Sequence, residues 1–344
     1  MNNYTAPQKQ NIQAEKGEQK PFPIIMYVYE SGKKKREWVH KINLDRNKFG
    51  EYHTFMLQLQ EDEKRFYIYF RMPSECFEEI LCSTKEDISK QITNYRVPVS
   101  VEERPVLTLR FLATSDSYST IGHSFRIGFE TVSQIVQEIC HSICKSVGHM
   151  YLPEPTTEIW EESEKGFADV WQFPNCIGSV DGKHVTIKCP NKSRKKIDGG
   201  IFEASNMGQR FEAGQMNVPN YNPLPGENKP CSHVLVGDEA FALKPYLMRS
   251  FLYRQSRIDP RKENYNISRA RGVVENVFGI LAQRWRILFR PMTTKIETIV
   301  QTACVLHNFL CVKRSDNQYY ELLEPPKQPV YLEVLNIINE EFRN

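Results

Sequence analysis

Between about Arg36 and Gly148 the apolar positions recur every three to four residues, the period of helices with one buried face. The clearest stripe lies in Glu130–Val147, where Val132, Ile135, Val136, Ile139 and Ile143 share one side and Ser133, Gln134, Gln137, Glu138 and His141 face away. Ser83 to Glu86 and Ser100 to Glu103 each fit a capping box, in which a hydroxyl and a carboxylate satisfy open backbone amides. The helix after Ser100 is predicted to run to about Thr114, starting late enough to leave Pro105 in its first turn. A short helix near Thr120–Arg126 and a turn at Gly128 complete a three-helix rhythm. That rhythm resembles a helix-turn-helix module and is shared by small helical bundles generally.

The pattern changes after residue 150. Prolines and tryptophans between 151 and 175 read as a connector. Cys176–Val180 and Val185–Cys189 are short apolar runs on either side of Asp181-Gly182, a strand or a hairpin. His233–Gly237 is a further strand, ending at Asp238. Between Pro190 and Cys231 Gly, Asn and Pro dominate, with a short helix at Glu203–Gly214. Asn264–Leu288 is predicted as a long helix, with Ile267, Arg271, Val274, Phe278, Leu281, Trp285 and Leu288 on one side. Helices follow at Ile296–Val312 and Val330–Phe342.

Composition sets the outer bounds. The 344 residues suffice for two domains, and 40% hydrophobic with 25% charged residues excludes wholesale disorder. No apolar run approaches the roughly 18 residues that a membrane helix needs. Residues 1–22 are polar, without the apolar core of a signal peptide, so a soluble intracellular protein is expected. The nine cysteines are scattered and form no CxxC pair, which reads as reduced thiols rather than a zinc site.

The net charge of +3 conceals two basic patches. Arg249–Arg290 holds ten basic and three acidic residues, a local charge of +7. Lys183–Lys196 holds six basic residues and no acid. Helical arginines usually form a solvated face. Here they crowd around acidic positions, and Lys183, Lys195, Lys196, Arg269 and Arg271 are the residues expected to hold phosphates. In Arg284-Trp285-Arg286 the tryptophan lies on the apolar stripe and reads as core, with its arginines outside. His307 reads as a packing residue.

Asp181 and Asp238 each follow a strand, and Glu275 lies in the long helix. Singly, each has a plain explanation: Asp181-Gly182 suits a hairpin turn, and Glu275 can pair with Arg271 one turn earlier. Together they are what a two-metal phosphoryl-transfer site requires, since hard cations prefer carboxylate oxygens.

Four blocks carry a resemblance: IGSVDGKHVTI around Asp181, IDGGIF around Asp198, VGDEAF around Asp238, and NYNISRARGVVENVFGILAQRWRIL around Glu275. With LTLRFLATSDSYSTIGHSFRIGFETVSQIV, VWQFPNCIGSVDGKHV and LHNFL, they resemble the PIF/Harbinger transposases and the nuclease-like proteins derived from them, over about residues 36–312. The 36 residues between Asp238 and Glu275 are close to the interval in that superfamily. The resemblance implies an α/β (α+β) chain: a disordered tail at 1–22, a helical helix-turn-helix-like domain at 23–150, a connector at 151–175, an RNase H-like DDE nuclease domain at 176–312, and a tail at 313–344. It implies DNA cleavage with Mg²⁺ or Mn²⁺, catalysed at Asp181, Asp238 and Glu275, with Asp198 as a further metal ligand. It also implies a separate Myb-like protein partner and residence in the nucleus, with Lys33–Arg36 a short import-type run and the cytoplasm a second location.

The sequence departs from the family between Asp181 and Asp198, where CPNKSRKKI stands in place of two central strands. Two strands of about five residues each do not fit there, so the sheet is expected to be incomplete. A non-catalytic DNA- or protein-binding derivative is therefore the alternative to a working nuclease. The faces at 130–147 and 330–342 offer surfaces for self-association into a homo-oligomer.

Overall fold

The computed structural model describes residues 39–89, 98–182, 198–251, 258, 269–291 and 296–315. The chain divides into two compact units, Met1–His40 and Lys41–Asn344. Every element named below belongs to the second. The tail at 1–22, the basic run Lys33–Arg36, the run Val185–Cys189 and the helix expected at Val330–Phe342 lie outside the described residues.

Four one-turn helices between Lys41 and Gln60 lead into α1 (Glu63–Phe70) and α2 (Ser74–Ile88). Asp62 caps α1 by accepting the Arg65 N–H at 3.0 Å, and Phe66 and Phe70 stack against Phe77 of α2. α2 runs straight through Ser83, so the expected cap there is not used: the Ser83 hydroxyl donates to the Ile80 carbonyl instead. The buried row Phe77, Ile80, Thr84 and Ile88 continues across that point, and burial outweighs the local capping signal.

The second capping site does form. Ser100 accepts the Glu103 N–H at 3.1 Å, and α3 (Glu103–Ala113) begins there with Pro105 in its first turn. Every residue of α3 except Arg110 is buried, which makes it the central helix. α4 (Tyr118–Phe125) follows, capped by Ser117. The turn after α4 is tight: Arg126 is left-handed at φ 53°, and Ile127 donates to the Gly122 carbonyl at 2.8 Å. A Cβ on Gly122 would stand 2.6 Å from the Ile127 oxygen, so this turn requires glycine. α5 (Phe129–Tyr151) then carries the predicted stripe, with Val132, Ile135, Val136, Ile139 and Ile143 all buried.

The segment read as a connector contains a helix, α6 (Thr157–Trp171). Thr156 caps it by accepting the Ile159 N–H, and Gln172 ends it in the left-handed region. Trp160 anchors it: fully buried, it packs edge-on to Phe211 and donates to the Met216 carbonyl at 2.7 Å. β1 (Cys176–Ser179) comes next. α7 (Asp198–Ala204) and α8 (Asn206–Glu212) meet at Ser205, which caps α8; α8 is the short helix expected at Glu203–Gly214, and α7 precedes it unannounced. β2 (Asn222–Pro223) and β3 (Pro230–Cys231) form a minimal antiparallel ladder.

β4 (Val234–Gly237) and β5 (Leu247–Arg249) complete a three-stranded sheet of order β1-β4-β5 in which both pairings are parallel. Among the described residues β1 has one strand neighbour. α9 (Arg269–Arg284), a 3-10 turn at Arg286–Phe289, and α10 (Ile296–Ser315) are the last of the described elements. The fold class is α+β: mostly helical, with a small parallel sheet.

Two apolar cores result. The first joins residues from Met56 to Val147 with residues from Leu281 to Leu310. α10 lies along α5, tied by the Thr302 hydroxyl to the Cys140 carbonyl at 3.2 Å and by the Asn308 amide to the Tyr151 carbonyl at 2.8 Å. The end of α9 and all of α10, grouped with the nuclease segment by sequence, therefore pack with the helical core. The second core joins Trp160, Ile177, Val180, Phe202, Phe211, Leu235, Phe241 and Leu247 around the sheet.

Candidate metal and nucleic-acid site

β1 and β4 are parallel neighbours with Ser179 opposite Val236, and Val180 donates to the Val236 carbonyl at 2.8 Å. Asp181 and Asp238 each stand two residues beyond that pair, just past the carboxyl ends of adjacent strands. Neighbouring strands run about 4.8 Å apart, and the carboxyl edge of a parallel sheet is where open α/β sheets bind ligands. Both aspartates are half-buried. The Gly182 N–H donates to Asp181 Oδ1 at 2.8 Å, and the Ala240 N–H donates to Asp238 Oδ1 at 2.9 Å. These short turns orient both carboxylates against their own backbone.

α6 braces the same two strands nearer their amino-terminal ends. The Ser163 hydroxyl donates to the Ile177 carbonyl at 2.7 Å, and Glu164 lies 3.2 Å from Nε2 of His233, which is buried just before β4. The Ser179 hydroxyl crosses to the Val236 carbonyl at 3.2 Å. None of these supports was singled out from sequence. Side chains that hold backbone carbonyls carry no motif, although a hydroxyl in a short strand is one signal that could have flagged Ser179.

The other predicted site residues are distributed as follows. Glu275 is exposed on α9, the helix that packs across β1 and β4. Asp198 is the first residue of α7. Arg269 and Arg271 occupy the first turn of α9. Lys183, Lys195 and Lys196 lie outside the described residues. Trp285 is fully buried, with Arg284 half-buried and Arg286 exposed, as its place on the stripe predicts. His307 is buried with Nε2 3.5 Å from Cys311 Sγ, a packing residue.

Two hard carboxylate donors at adjacent strand ends fit a divalent cation by donor chemistry. Among the described residues no group of three or more His, Cys, Asp or Glu side chains converges to hold an ion, so the structure does not gather Glu275 with the two aspartates.

Residues 179–308 match the family of DDE superfamily endonucleases. Protein ALP1-like of Arabidopsis thaliana is 25% identical over 292 aligned residues, covering 72% of this chain and 71% of the relative. Antagonist of like heterochromatin protein 1, also of Arabidopsis thaliana, is 24% identical over 356, covering 89% and 88%. HARBI1 of Bos taurus, named a candidate nuclease, is 22% identical over 275, covering 67% and 73%. No solved structure matches the chain. The matched segment begins at Ser179, two residues before Asp181, and ends at Asn308 in α10, so it spans both strand-end aspartates and Glu275. Residues 179–308 thus resemble a DDE superfamily endonuclease domain, and the chain as a whole is similar to the ALP1-like and HARBI1 proteins.

Proposed function

We propose that this protein cleaves DNA phosphodiester bonds with a divalent cation, Mg²⁺ or Mn²⁺, at a site built on Asp181 and Asp238. The observation that carries the reading is that both carboxylates stand two residues beyond a paired position, at the carboxyl ends of neighbouring parallel strands. Asp181 and Asp238 would hold the cation, and Glu275 on α9 and Asp198 on α7, which the structure does not gather with them among the described residues, would have to approach to supply further carboxylates. When bound, the ion supplies Lewis-acid activation at the scissile phosphate. Arg269 and Arg271, with Lys183, Lys195 and Lys196, hold the flanking phosphates and orient the strand, a role that needs charge and no base contact. The nucleus is the compartment that fits this substrate. A Myb-like protein is the partner that follows from the resemblance, and a second copy of this chain is the partner that the faces at 130–147 and 330–342 offer. A relative named for antagonism of a heterochromatin protein adds a chromatin-bound protein to that set.

The test is nicking of supercoiled plasmid by purified protein with Mn²⁺. Wild type relaxes the plasmid, and Asp238→Asn loses that activity while keeping its melting temperature. Equal nicking by both proteins overturns the reading.

A second reading, a non-catalytic DNA-binding derivative, is favoured by one observation. Glu275 does not converge with the aspartates among the described residues. Metal-independent DNA binding by wild type with no nicking, unchanged in Asp238→Asn, supports it instead.

A further inference from the structure

A cavity of about 440 Å³ opens where the C-terminal ends of α1 and α9 meet, away from the strand-end aspartates. Among the described residues Tyr67, Arg71, Gln283, Arg284, Arg286 and Phe289 line it, bringing three guanidinium groups and two aromatic rings together. Its walls are held rigidly. Arg71 caps α1 in the left-handed region at φ 60°, its N–H bonded to the Tyr67 carbonyl at 2.7 Å, which fixes the backbone of Arg71 against that of Tyr67. The 3-10 turn is pinned by buried Trp285, Ile287 and Leu288, and Arg290 anchors its end on the Ser115 carbonyl. That leaves Phe289 61% exposed, an aromatic ring presented to solvent on a fixed backbone.

Guanidinium forks match phosphate oxygens, and open aromatic rings give unpaired bases a stacking face. The volume lies in the range of pockets that enclose one small ligand. We propose that this cavity binds one unpaired nucleotide of a single DNA strand, its phosphate on the arginines and its base on Phe289 or Tyr67. A base paired and stacked in a duplex has no free face to offer such a recess, so the ligand is single-stranded. Arg284 lies nine residues beyond Glu275, roughly 14 Å along the axis of α9, on a different face of that helix. The proposal therefore does not require the acids to be catalytic.

The test is fluorescence anisotropy of the full chain with a labelled oligothymidylate in EDTA, against a blunt duplex of equal length. Phe289→Ala is expected to weaken oligothymidylate binding about five-fold or more and leave the duplex unaffected. Arg286→Gln is expected to weaken it and to flatten the log Kd against log salt slope by about 0.7. Asp238→Asn is expected to bind like wild type, which separates this site from the aspartate site. Gln283→Glu, an exposed position, gives a second reading should either variant melt early, and is also expected to weaken binding. Unchanged oligothymidylate affinity in these variants overturns the proposal. So does an equal loss for duplex, or displacement by a phosphotyrosine peptide at lower concentration than by the oligonucleotide.

Discussion

Asp181 and Asp238 are 57 positions apart in the chain, yet each lies two residues beyond a member of the Ser179–Val236 pair, where β1 and β4 end. Parallel pairing brings both residues to the same edge of the sheet, after a register shift between Cys176 and Gly178 in β1. The register rests on close packing at two glycines. A Cβ on Gly178 would stand 3.0 Å from Leu235, and one on Gly237 would stand 3.0 Å from the Phe241 ring and 3.3 Å from Val180.

Gly237→Ala is the most pointed variant of that packing. The added methyl presses on Phe241 and Val180 beside Asp238, at a cost of about 1–3 kcal/mol. Urea denaturation is expected to show that loss.

Gly208→Ala is expected to be worse tolerated. Its Cβ would lie 2.0 Å from the Phe202 carbonyl oxygen, a backbone atom, so α7 and α8 must separate. The second core loosens with them, and a fall of 2 °C or less in melting temperature contradicts this account.

Glu103 makes stability depend on pH. Its side chain is fully buried on α3, with Arg46 Nε at 3.7 Å and His53 Nε2 at 3.8 Å. Burial pushes its carboxyl up to about 7, against the pull of Arg46. The unfolded chain loses that proton near 4.5, so between about 4.5 and 7 the folded state retains a proton the unfolded state has released. Stability contributed by this group therefore falls as pH rises through that window. His53 acts in the opposite sense: burial, then Arg46, holds it below 6.5, and its contribution falls as pH drops below that value. Thermal melts of Glu103→Gln and wild type are expected to diverge as pH rises from 4.5 to 7, with wild type the lower. Parallel curves contradict the assignment.

Glu138 faces outward on α5, yet it pairs with Arg104, a buried residue of α3 that also donates to the Ile88 carbonyl at the end of α2. Glu138→Ala leaves a buried cation short of its counter-charge. A loss of about 2–3 kcal/mol is expected by chemical denaturation, below the range for a fully buried pair because Glu138 is partly exposed.

Thiol reactivity should divide sharply. Burial pushes Cys140, Cys176 and Cys304 up to about 12, whereas Cys82 is exposed. Mass spectrometry after brief alkylation of native protein at pH 8 is expected to find label on Cys82 and none on those three.

The parts of this fold that were legible in the sequence are those where one local signal suffices. The α5 stripe declares itself because five apolar residues keep helical phase, and Asp181 and Asp238 are visible as acids closing apolar strands. α6 was missed because Pro153, Pro155 and two tryptophans look like linker chemistry, while the informative residue was Thr156, whose hydroxyl starts the helix. Ser83 misled in the opposite direction, since a continuing buried row overrode its capping potential. The exposure of Glu275 beside buried Val274 and Val277 depends on how α9 rolls against the sheet, which helical period alone does not fix. The arginine cavity was not legible at all: it joins Tyr67 to Arg284, more than two hundred residues apart.

The central claim is that Asp181 and Asp238 share one divalent cation. Electron paramagnetic resonance of Mn²⁺ titrated into the full chain measures it without DNA. One site is expected in wild type, lost or weakened at least ten-fold in both Asp181→Asn and Asp238→Asn, with each variant still melting cooperatively. Undiminished Mn²⁺ binding in either well-folded variant would contradict it.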